Sequence, residues 1–238
     1  MSQPALEGRG ALVTGVSRRI GIGAAIARSL AAMGADVFLC GWSAHDAARP
    51  WGADPDGIEA MEADFLDPDA PAAVMAAARA TLGHVDILVA NHARSDHLGL
   101  METTAEELDA QWAVNTRATL LLVQAFAAQH DGRAGGRIVM MTSGQHRWPM
   151  PGELGYVATK GAIHQATRTL AAELADRGIT VNTVNPGATD TGWATPEQRA
   201  RVAAWAEPDD AARLIAWLCT DDARWITGQV IDSTGGPW

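Results

Sequence analysis

The chain has 238 residues, of which 47% are hydrophobic and 19% are charged, a composition typical of a globular protein with enough material for one large core. Its formal net charge is −10 and it contains no basic run, so nucleic acid and anionic membranes are not expected partners. The N-terminal residues lack the charged and apolar regions of a signal peptide, and no apolar run approaches ~18 residues, so we expect a cytoplasmic protein.

The two cysteines, Cys40 and Cys219, lie in separate apolar runs that resemble core segments. Neither belongs to a C-x-x-C pair, which zinc and redox sites commonly use. We therefore expect two buried free thiols in a reducing compartment, without a disulfide and without a metal site.

Short apolar runs alternate with longer helical patterns along the whole chain. Strands are predicted at residues 10–15, 36–42, within 58–65, and at 85–93, 136–143, 179–187 and 228–236, and helices at 23–35, 70–83, 104–130, 156–178 and 208–221. Strands this apolar are buried on both faces, so the alternation predicts an α/β fold in three layers, with a doubly wound parallel sheet. The Pro- and Gly-rich residues 45–57 are interpreted as a surface loop, and residues 1–238 are expected to form a single domain.

A glycine-rich turn joins the first predicted strand to the first predicted helix. Gly15, Gly21 and Gly23 would permit a tight turn, a close approach of a ligand to the backbone, and close packing of the helix on the sheet. The amides and the dipole at the start of the helix can then hold a pyrophosphate. The place of this turn in an α/β chain predicts a dinucleotide-binding site.

The segment GELGYVATKGAI contains Tyr156 and Lys160, which are the only tyrosine and the only lysine of the chain. Coding bias can make both residue types rare, but it does not explain a spacing of four, which places them on one face of a helix. Arginine could supply a surface charge, whereas a compact ammonium with an adjustable pKa requires lysine. The pair therefore predicts a functional site.

These features resemble the short-chain dehydrogenase/reductase family in its single-domain form, over roughly residues 8–236. That family has Y-x-x-x-K on its fifth helix, a serine thirteen residues before the tyrosine, and an asparagine on its fourth helix. Tyr156, Lys160, Ser143 and Asn115 match these positions in order and spacing. The resemblance, which is to members like the 3-oxoacyl-acyl carrier protein reductases, implies a Rossmann fold and an oxidoreductase that uses a nicotinamide dinucleotide.

The family pattern T-G-x-x-x-G-x-G can be matched to the turn in two registers. Five residues separate Thr14-Gly15 from Gly21-Ile22-Gly23, so the turn is either two residues longer than the family pattern, or has Arg19 in place of the middle glycine and Gly21 as the last one. We prefer the longer turn because the helix that follows matches the family helix well.

The resemblance implies a role for each catalytic residue. Tyr156 would exchange a proton with a carbonyl or alcohol oxygen, and Lys160 would lower the phenol pKa from its usual value of about 10 while bonding the nicotinamide ribose. Ser143 would hydrogen-bond the substrate oxygen. Asn115 would hold a water in a relay that links Lys160 to solvent.

The resemblance also implies a cofactor site. Its residues would be Gly15, Ser17, Arg18, Arg19, Gly21, Ile22, Gly23, Asp64, Phe65, Asn91, Tyr156, Lys160, Pro186, Gly187, Thr189 and Thr191. Asp64 would bond the adenine amine and Thr191 the nicotinamide carboxamide. The second strand ends at Gly41-Trp42 without the carboxylate that favours NAD(H), and Arg18 and Arg19 could pair with a 2′-phosphate. NADP(H) is therefore favoured over NAD(H).

Substrate-binding residues are expected on the segments that border the nicotinamide. They are Ser143, Gln145, Tyr156, Arg94 and Trp193, whose mixture of apolar and polar groups suits a hydrophobic carbonyl or alcohol. A short substrate lid is expected within about residues 191–208. His92 is interpreted as structural. By resemblance, the apolar helix at 104–130 pairs subunits, so we expect a homo-oligomer, either a dimer or a tetramer.

Two functions of different classes remain open. The first is an NADP(H)-dependent carbonyl reductase or alcohol dehydrogenase, which the complete Ser, Tyr, Lys and Asn set favours. The second is a non-catalytic dinucleotide sensor or scaffold, favoured by the altered turn and by the sequence of residues 90–93, ANHA, where the family has N-N-A-G. An enoyl reductase is disfavoured because such relatives separate the tyrosine and lysine further.

Overall fold

One parallel sheet organises the chain. A computed structural model describes residues 4–194, 199–200, 202 and 204–235. Within these residues the strands are β1 (Gly10–Thr14), β2 (Asp36–Gly41), β3 (Met61–Glu62), β4 (Ile87–Ala90), β5 (Gly136–Met141), β6 (Ile179–Asn185) and β7 (Val230–Asp232). They pair in the order β3-β2-β1-β4-β5-β6-β7, and every neighbouring pair is parallel. The predicted doubly wound parallel sheet is confirmed.

Helices cover the sheet. They are α1 (Ile22–Ala32), α2 (Ser43–Ala47), α3 (Ala70–Leu82), α4 (Ala105–Gln111), a π-helical segment (Trp112–Arg117), α5 (Ala118–Gln129), α6 (Leu154–Leu174) and α7 (Pro208–Leu218). Single 3₁₀ turns follow at Gly144–His146, Ala175–Arg177 and Asp221–Ala223. Among the described helices, none combines the length and the apolar character needed to cross a bilayer.

Two apolar clusters lie on opposite faces of the sheet. Leu12 and Leu88 belong to the cluster under α3, α5 and α6, whereas Val13 and Ile87 belong to the cluster under α1 and α7. Successive residues of one strand thus enter different clusters, as the period of two in a strand requires. Each fully buried side chain of this size contributes about 1.5–3 kcal/mol. Burial on both faces explains why the strands are continuously apolar in the sequence.

The order of the strands places a crevice between β1 and β4. The chain runs outward from β1 through β2 to β3, then returns to β4 on the other side of β1. Connections leaving the carboxyl ends of β1 and β4 therefore diverge, and ligands of open α/β sheets bind at such points.

Three elements differ from the sequence prediction. The third strand covers only Met61–Glu62 and ends two residues before Asp64. Residues 43–47 form the helix α2 where the surface loop was expected to begin, and the amide of Ser43 at its start donates to the Glu62 carboxylate (2.8 Å). The predicted helix at 104–130 is interrupted by the π-helical segment. Segments of π-helix are rare in proteins, and those that occur are often found at functional sites.

Candidate active site

The glycine turn joins β1 to α1 and leaves its backbone open. Gly15 has φ +72°, and a Cβ there would lie 2.8 Å from Asn91 Nδ2. A Cβ on Gly23 would lie 2.5 Å from the Gly15 carbonyl oxygen, a distance too short for two heavy atoms to tolerate. Gly23 is therefore the residue that lets α1 pack closely on the end of β1, which supports the longer of the two turns.

The start of α1 suits an anion. Gly21 is the N-cap residue, and among the described residues no side chain caps the helix and no acidic residue stands in its first turn. Free amides and the helix dipole therefore face the crevice. Together with the space that Gly15 and Gly23 leave beside the backbone, this donor set fits the pyrophosphate of a dinucleotide.

Asn91, at the end of β4, braces the turn from the other side of the crevice. Its Nδ2 donates to the carbonyl oxygens of Thr14 (3.2 Å) and Gly15 (3.1 Å). Its backbone N–H donates to Thr14 Oγ1 at 3.1 Å. The residue predicted to contact the cofactor therefore also fixes the spacing of β1 and β4.

Two adjoining cavities, of ≈230 and ≈220 Å³, follow the crevice. We call them the first cavity, beside the glycine turn, and the second cavity, beside Tyr156 and Lys160. They share part of their lining, including Arg18, Ile22 and Thr191, so they form one continuous cleft. A cleft of this extent joins the turn to the candidate catalytic residues.

Most of the predicted cofactor residues line this cleft. Those lining the first, the second or both cavities are Gly15, Ser17, Arg18, Gly21, Ile22, Phe65, Asn91, Tyr156, Lys160, Pro186 and Thr191. The linings of these two cavities do not include Arg19, Gly23, Asp64, Gly187 or Thr189. Asp64 instead accepts the backbone N–H of Leu66 (2.9 Å), and its neighbours in the chain, Ala63 and Phe65, line the first cavity.

Arg18 crosses the cleft. Its Nη2 donates to the carbonyl oxygen of Thr191 (2.8 Å), its Nε lies 3.7 Å from Asp46 Oδ1, and its guanidinium carbon lies 5.7 Å from the ring centre of Trp51. Burial lowers the pKa of Arg18, while the Asp46 carboxylate raises it. The guanidinium thus links the glycine turn to the segment after β6.

Arg19 points away from the cleft. Its Nη1 donates to Asp56 Oδ2 (2.7 Å) and its Nη2 to the carbonyl oxygen of Gly57 (2.9 Å). Its side chain is 55% exposed. Arg18 and Arg19 were assigned the same role from the sequence, but Arg18 lines the cleft and Arg19 lies outside it.

Tyr156 lies in the first turn of α6, and Lys160 lies one turn later. Lys160 is 2% exposed, and its Nζ donates to the carbonyl oxygen of Met141 (3.1 Å) at the end of β5. Burial lowers the pKa of Lys160 to about 8. A group with this pKa keeps most of its positive charge at neutral pH.

The pKa of Tyr156 differs from expectation. Burial and the nearby Glu153 carboxylate raise it to about 12, and a hydrogen bond with Ser143 offsets only part of the rise. The expected lowering by Lys160 is not found among the protein's own groups. Burial disfavours the phenolate, and Lys160 directs its ammonium at a backbone carbonyl.

Glu153 is held beside Tyr156 by the loop that follows β4. It accepts from Ser95 Oγ at 2.5 Å and pairs with His97 Nδ1 at 2.5 Å. The hydrogen bond to Glu153 raises the pKa of His97. The imidazole of His97 also packs on the ring of Trp193, with 4.7 Å between ring centres.

Asn115 lies in the π-helical segment and is 0% exposed. Its Oδ1 accepts the backbone N–H of Arg94 (2.7 Å), and its Nδ2 donates to the carbonyl oxygen of Arg94 (2.9 Å) and to Thr159 Oγ1 (3.0 Å). The side chain expected to hold a water therefore bonds protein atoms and fixes the loop that borders the cleft.

The predicted substrate residues differ in what they contact. Gln145 turns back onto the two residues that follow β5. Its Oε1 accepts the N–H of Ser143 (3.1 Å), and its Nε2 donates to Thr142 Oγ1 (2.9 Å). Arg94 lines the first cavity, but its guanidinium pairs with Glu107 (2.9 Å) and Asp96 (2.7 Å). The amide of Gln145 and the guanidinium of Arg94 therefore bond other protein groups.

Trp193, a predicted substrate-binding residue, lines the second cavity. The predicted lid at residues 191–208 that contains it lies partly outside the described residues. Among the cleft residues that the sequence interpretation missed, His45, Asp46 and Trp51 line the cleft from α2 and the segment after it. Trp51 Nε1 donates to Asp46 Oδ1 (2.7 Å), and its ring lies 6.1 Å from that of Trp193. Trp51, a large apolar residue within the predicted surface loop at 45–57, was the feature of the sequence that could have indicated this part of the cleft.

Comparison with known proteins agrees with this geometry. A family model described as enoyl-(acyl carrier protein) reductase matches residues 15–237. The chain is 43% identical to an uncharacterized oxidoreductase, YjdA, of Bacillus subtilis, over 95% of each chain. It is also similar to the structure of a short chain dehydrogenase from Burkholderia cenocepacia in complex with NADP, at 37% identity and a TM-score of 0.84 over 98% of each chain.

A second solved structure is that of the angucycline C-6 ketoreductase LanV with bound NADP. It has 34% identity and a TM-score of 0.85, and the match covers 98% of this chain and 96% of that one. The match extends over the sheet, the glycine turn and the helix that carries Tyr156 and Lys160. The chain is therefore an oxidoreductase of the short-chain dehydrogenase/reductase family, whose fold binds a nicotinamide cofactor.

Proposed function

We propose that this oxidoreductase interconverts a carbonyl and an alcohol by hydride transfer, with Tyr156 as the acid or base and with NADP(H) as the preferred cofactor. One observation carries the proposal. Tyr156 and Lys160 line the same cavity as Arg18 and Ile22 of the glycine turn, so the acid/base group and the dinucleotide cradle open into one cleft.

The bound nicotinamide would supply or accept the hydride. Tyr156 would give its phenolic proton to the oxygen of a carbonyl that is being reduced, and would take it back during alcohol oxidation. Ser143, which lies close enough to Tyr156 to lower the phenol pKa, would orient the same oxygen. Lys160 lies too deep to be a surface charge, and its ammonium would bond the nicotinamide ribose from the end of β5.

The cofactor preference rests on Arg18. A guanidinium in the cleft can pair with a 2′-phosphate, whereas Arg19 bonds the loop at residues 54–57. Asp46 lies beside Arg18 and opposes a second negative charge there, so the preference for NADPH is expected to be moderate. Two of the similar solved structures contain bound NADP, which supports the same preference.

The second cavity suits a small hydrophobic carbonyl compound. Its lining combines the large apolar side chains of Trp51, Trp193 and Met141 with polar and charged residues, among them Ser95 and Asp46. Apolar walls with a few polar groups are typical of sites for such molecules. A 3-oxoacyl thioester is one candidate, and the neighbouring ketoreductase is consistent with reduction of a ketone.

The alternative is a non-catalytic dinucleotide sensor or scaffold of the same fold. The altered glycine turn and the altered residues 90–93 favour it, and His92 in that segment bonds the Val114 carbonyl oxygen. The test is a screen of ketones, aldehydes and alcohols with NADPH and NADP⁺, read by nicotinamide absorbance. Turnover of a carbonyl or alcohol supports the enzyme; tight cofactor binding with no turnover across the panel supports the sensor.

Assembly and location form part of the same proposal. We expect a single domain with a short lid at 191–208 that assembles as a dimer or tetramer in the cytoplasm. Leu108 and Trp112, which are 40% and 49% exposed on the long helical run, support pairing of that run between subunits. Cys40 and Cys219 are free and buried, which is compatible with a reducing compartment. Sedimentation velocity would give the assembly state.

A further inference from the structure

His92 lies where three elements meet. It follows β4 and is 7% exposed, and its ring lies between the end of β1 and the π-helical segment. Its Nδ1 is 2.7 Å from Thr14 Oγ1, and its Nε2 is 3.1 Å from the carbonyl oxygen of Val114. Both ring nitrogens are therefore engaged, although the proposed chemistry uses neither.

The partners of the ring fix its tautomer. The Val114 carbonyl oxygen can only accept a hydrogen bond, so the proton must be on Nε2 of His92. Nδ1 then accepts from the Thr14 hydroxyl, and Thr14 Oγ1 in turn accepts the backbone N–H of Asn91. Burial and the positive charge of Lys160 lower the pKa of His92 to about 3, so the ring stays neutral. The hydrogen bonds therefore have one defined direction.

The Val114 carbonyl belongs to the segment that positions Asn115. Two consecutive carbonyls of the π-helical segment accept from side chains: Val114 from His92, and Asn115 from Thr119 Oγ1 (2.7 Å). Such segments interrupt the regular helical ladder, and side-chain donors can satisfy the carbonyls they displace. Asn115 then holds both backbone polar groups of Arg94, on the loop that borders the cleft.

We propose that His92 is a positioning residue, whose neutral ring couples the end of β1 to the π-helical segment and thereby sets the place of Asn115 and of the loop after β4. Its effect on turnover rests on the proposed function, whereas its effect on the segment does not. Through Asn91 and Thr14, the same ring connects the glycine turn to the π-helical segment.

A purely space-filling role makes a different prediction. The ring of His92 packs on Phe65 with 4.3 Å between ring centres, and both residues line the first cavity. A phenylalanine at position 92 would keep that packing but lose both hydrogen bonds. Glutamine would keep a donor at nearly the place of Nε2 and lose the acceptor.

The test compares His92→Phe with His92→Gln in the full chain. For His92→Phe we expect kcat to fall at least tenfold with the NADPH Kd changed less than threefold, and the amides of residues 112–117 to exchange hydrogen at least tenfold faster. His92→Gln should restore at least half of the lost protection. The nitrogen-15 shifts of His92 should show the Nε2–H tautomer throughout pH 6–8.

A matched pair of variants tests Thr119, the second side chain that donates to a carbonyl of the π-helical segment. Thr119→Val removes the bond to the Asn115 carbonyl and should also speed exchange at 112–117. Thr81→Val removes the same kind of bond, from Thr81 Oγ1 to the Ala77 carbonyl (3.0 Å), on the exposed face of α3 and should leave activity and exchange unchanged.

Several outcomes would overturn the proposal. They are wild-type exchange at 112–117 in His92→Phe, faster exchange spread evenly over the sheet, or the Nδ1–H tautomer. If His92→Phe does not fold, His92→Leu replaces it, because leucine also lacks both ring hydrogen bonds. Wild-type exchange at 112–117 in His92→Leu would overturn the proposal equally. If the wild-type protein turns over no carbonyl, the proposed function fails, but the exchange and tautomer measurements still decide the role of His92.

Discussion

The ammonium of Lys160 lies 5.7 Å from the ring centre of Tyr156 and donates to the Met141 carbonyl rather than to the phenol. The two side chains share one helix face and one cavity. The pKa of Tyr156 is nonetheless raised to about 12 by burial and by the Glu153 carboxylate. Because the pKa of Lys160 is lowered to about 8, its ammonium loses its proton before the phenol titrates. For the proposed role of Tyr156 as acid or base, we therefore expect a further positive charge, such as that of the oxidised nicotinamide, to lower the phenol pKa.

The tyrosinate titration of the protein tests this directly, because Tyr156 is the single tyrosine of the chain. We expect the neutral phenol to persist above pH 10 in the protein alone, since its pKa is raised to about 12. Oxidised cofactor, whose nicotinamide is positively charged, should lower that pKa and make alcohol oxidation rise with pH. The measurement is the ultraviolet difference band of tyrosinate, and Tyr156→Phe is the blank.

Two results would contradict that expectation. A titration midpoint below pH 9 in the protein alone would mean that Lys160 by itself overcomes burial. A midpoint unaffected by oxidised cofactor would remove the reason to assign Tyr156 the proton transfer.

Tyr156→Phe should abolish turnover while leaving cofactor affinity nearly intact. The ring would remain in its place at the start of α6, and the change removes only the hydroxyl to which the proposal assigns the proton transfer. We expect kcat to fall by at least about 10²-fold, the lower end of what general acid–base catalysis contributes, with the NADPH Kd within twofold of wild type. Initial rates and fluorescence titration measure the two. A collapse of cofactor binding would make Tyr156 a structural residue.

Arg18 and Arg19 offer a matched comparison for the cofactor preference. Arg18→Ala should weaken NADPH binding by about 10- to 100-fold, because a hydrogen bond to a charged group contributes roughly 1.5–3 kcal/mol, and NADH binding by much less. Arg19→Ala should change neither by more than about twofold, because its guanidinium faces Asp56 and solvent. Asp46→Asn should raise the preference for NADPH. Equal losses for both cofactors in Arg18→Ala would refute the preference.

Trp51 should set the size of substrate that the second cavity accepts. Its ring lies 6.1 Å from that of Trp193, and both line the cavity. Trp51→Ala removes one wall, so kcat/KM for an aryl ketone should rise at least tenfold relative to a short alkyl ketone, since steric fit of a few atoms is worth about 1–3 kcal/mol. Trp225→Ala, at a ring that is 93% exposed, is the control. An unchanged ratio would remove Trp51 from the substrate site.

Much of the fold could be predicted because its causes are local or periodic. The strands are apolar on both faces, so they stand out as short runs, and the two clusters that they join explain why. The glycine turn was found because only glycine fits at Gly15 and Gly23, so the backbone geometry constrains the residue type. Tyr156 and Lys160 were found because a spacing of four defines a helix face.

Other parts of the site depend on contacts between distant segments. Helix α2 has five residues, too few to show a period, and its place over the cleft depends on Arg18 and on the ion pair of Arg49 with Asp96. Sequence position put Gln145 near the substrate, but it could not show that its amide turns back onto Thr142. The pKa of Tyr156 depends on how deeply the phenol is buried.

Gly23→Ala and Gly161→Ala separate a glycine required by packing from one that is not. A Cβ on Gly23 would lie 2.5 Å from the Gly15 carbonyl oxygen, so α1 must move away from β1, at a cost of about 1–3 kcal/mol as in other overpacked sites. A Cβ on Gly161, inside α6, would meet nothing within 4 Å, and alanine there should stabilise the helix by about 0.5–1 kcal/mol. Because each kcal/mol shifts Tm by roughly 2–4 °C in a chain of this size, Tm should fall by at least about 2 °C in the first variant and rise slightly in the second.

Moving α1 also moves the amides that would hold the pyrophosphate, so NADPH affinity should fall in Gly23→Ala alone. An unchanged Tm and Kd in Gly23→Ala would mean that the turn takes the shorter register, with the close approach at Gly21 instead.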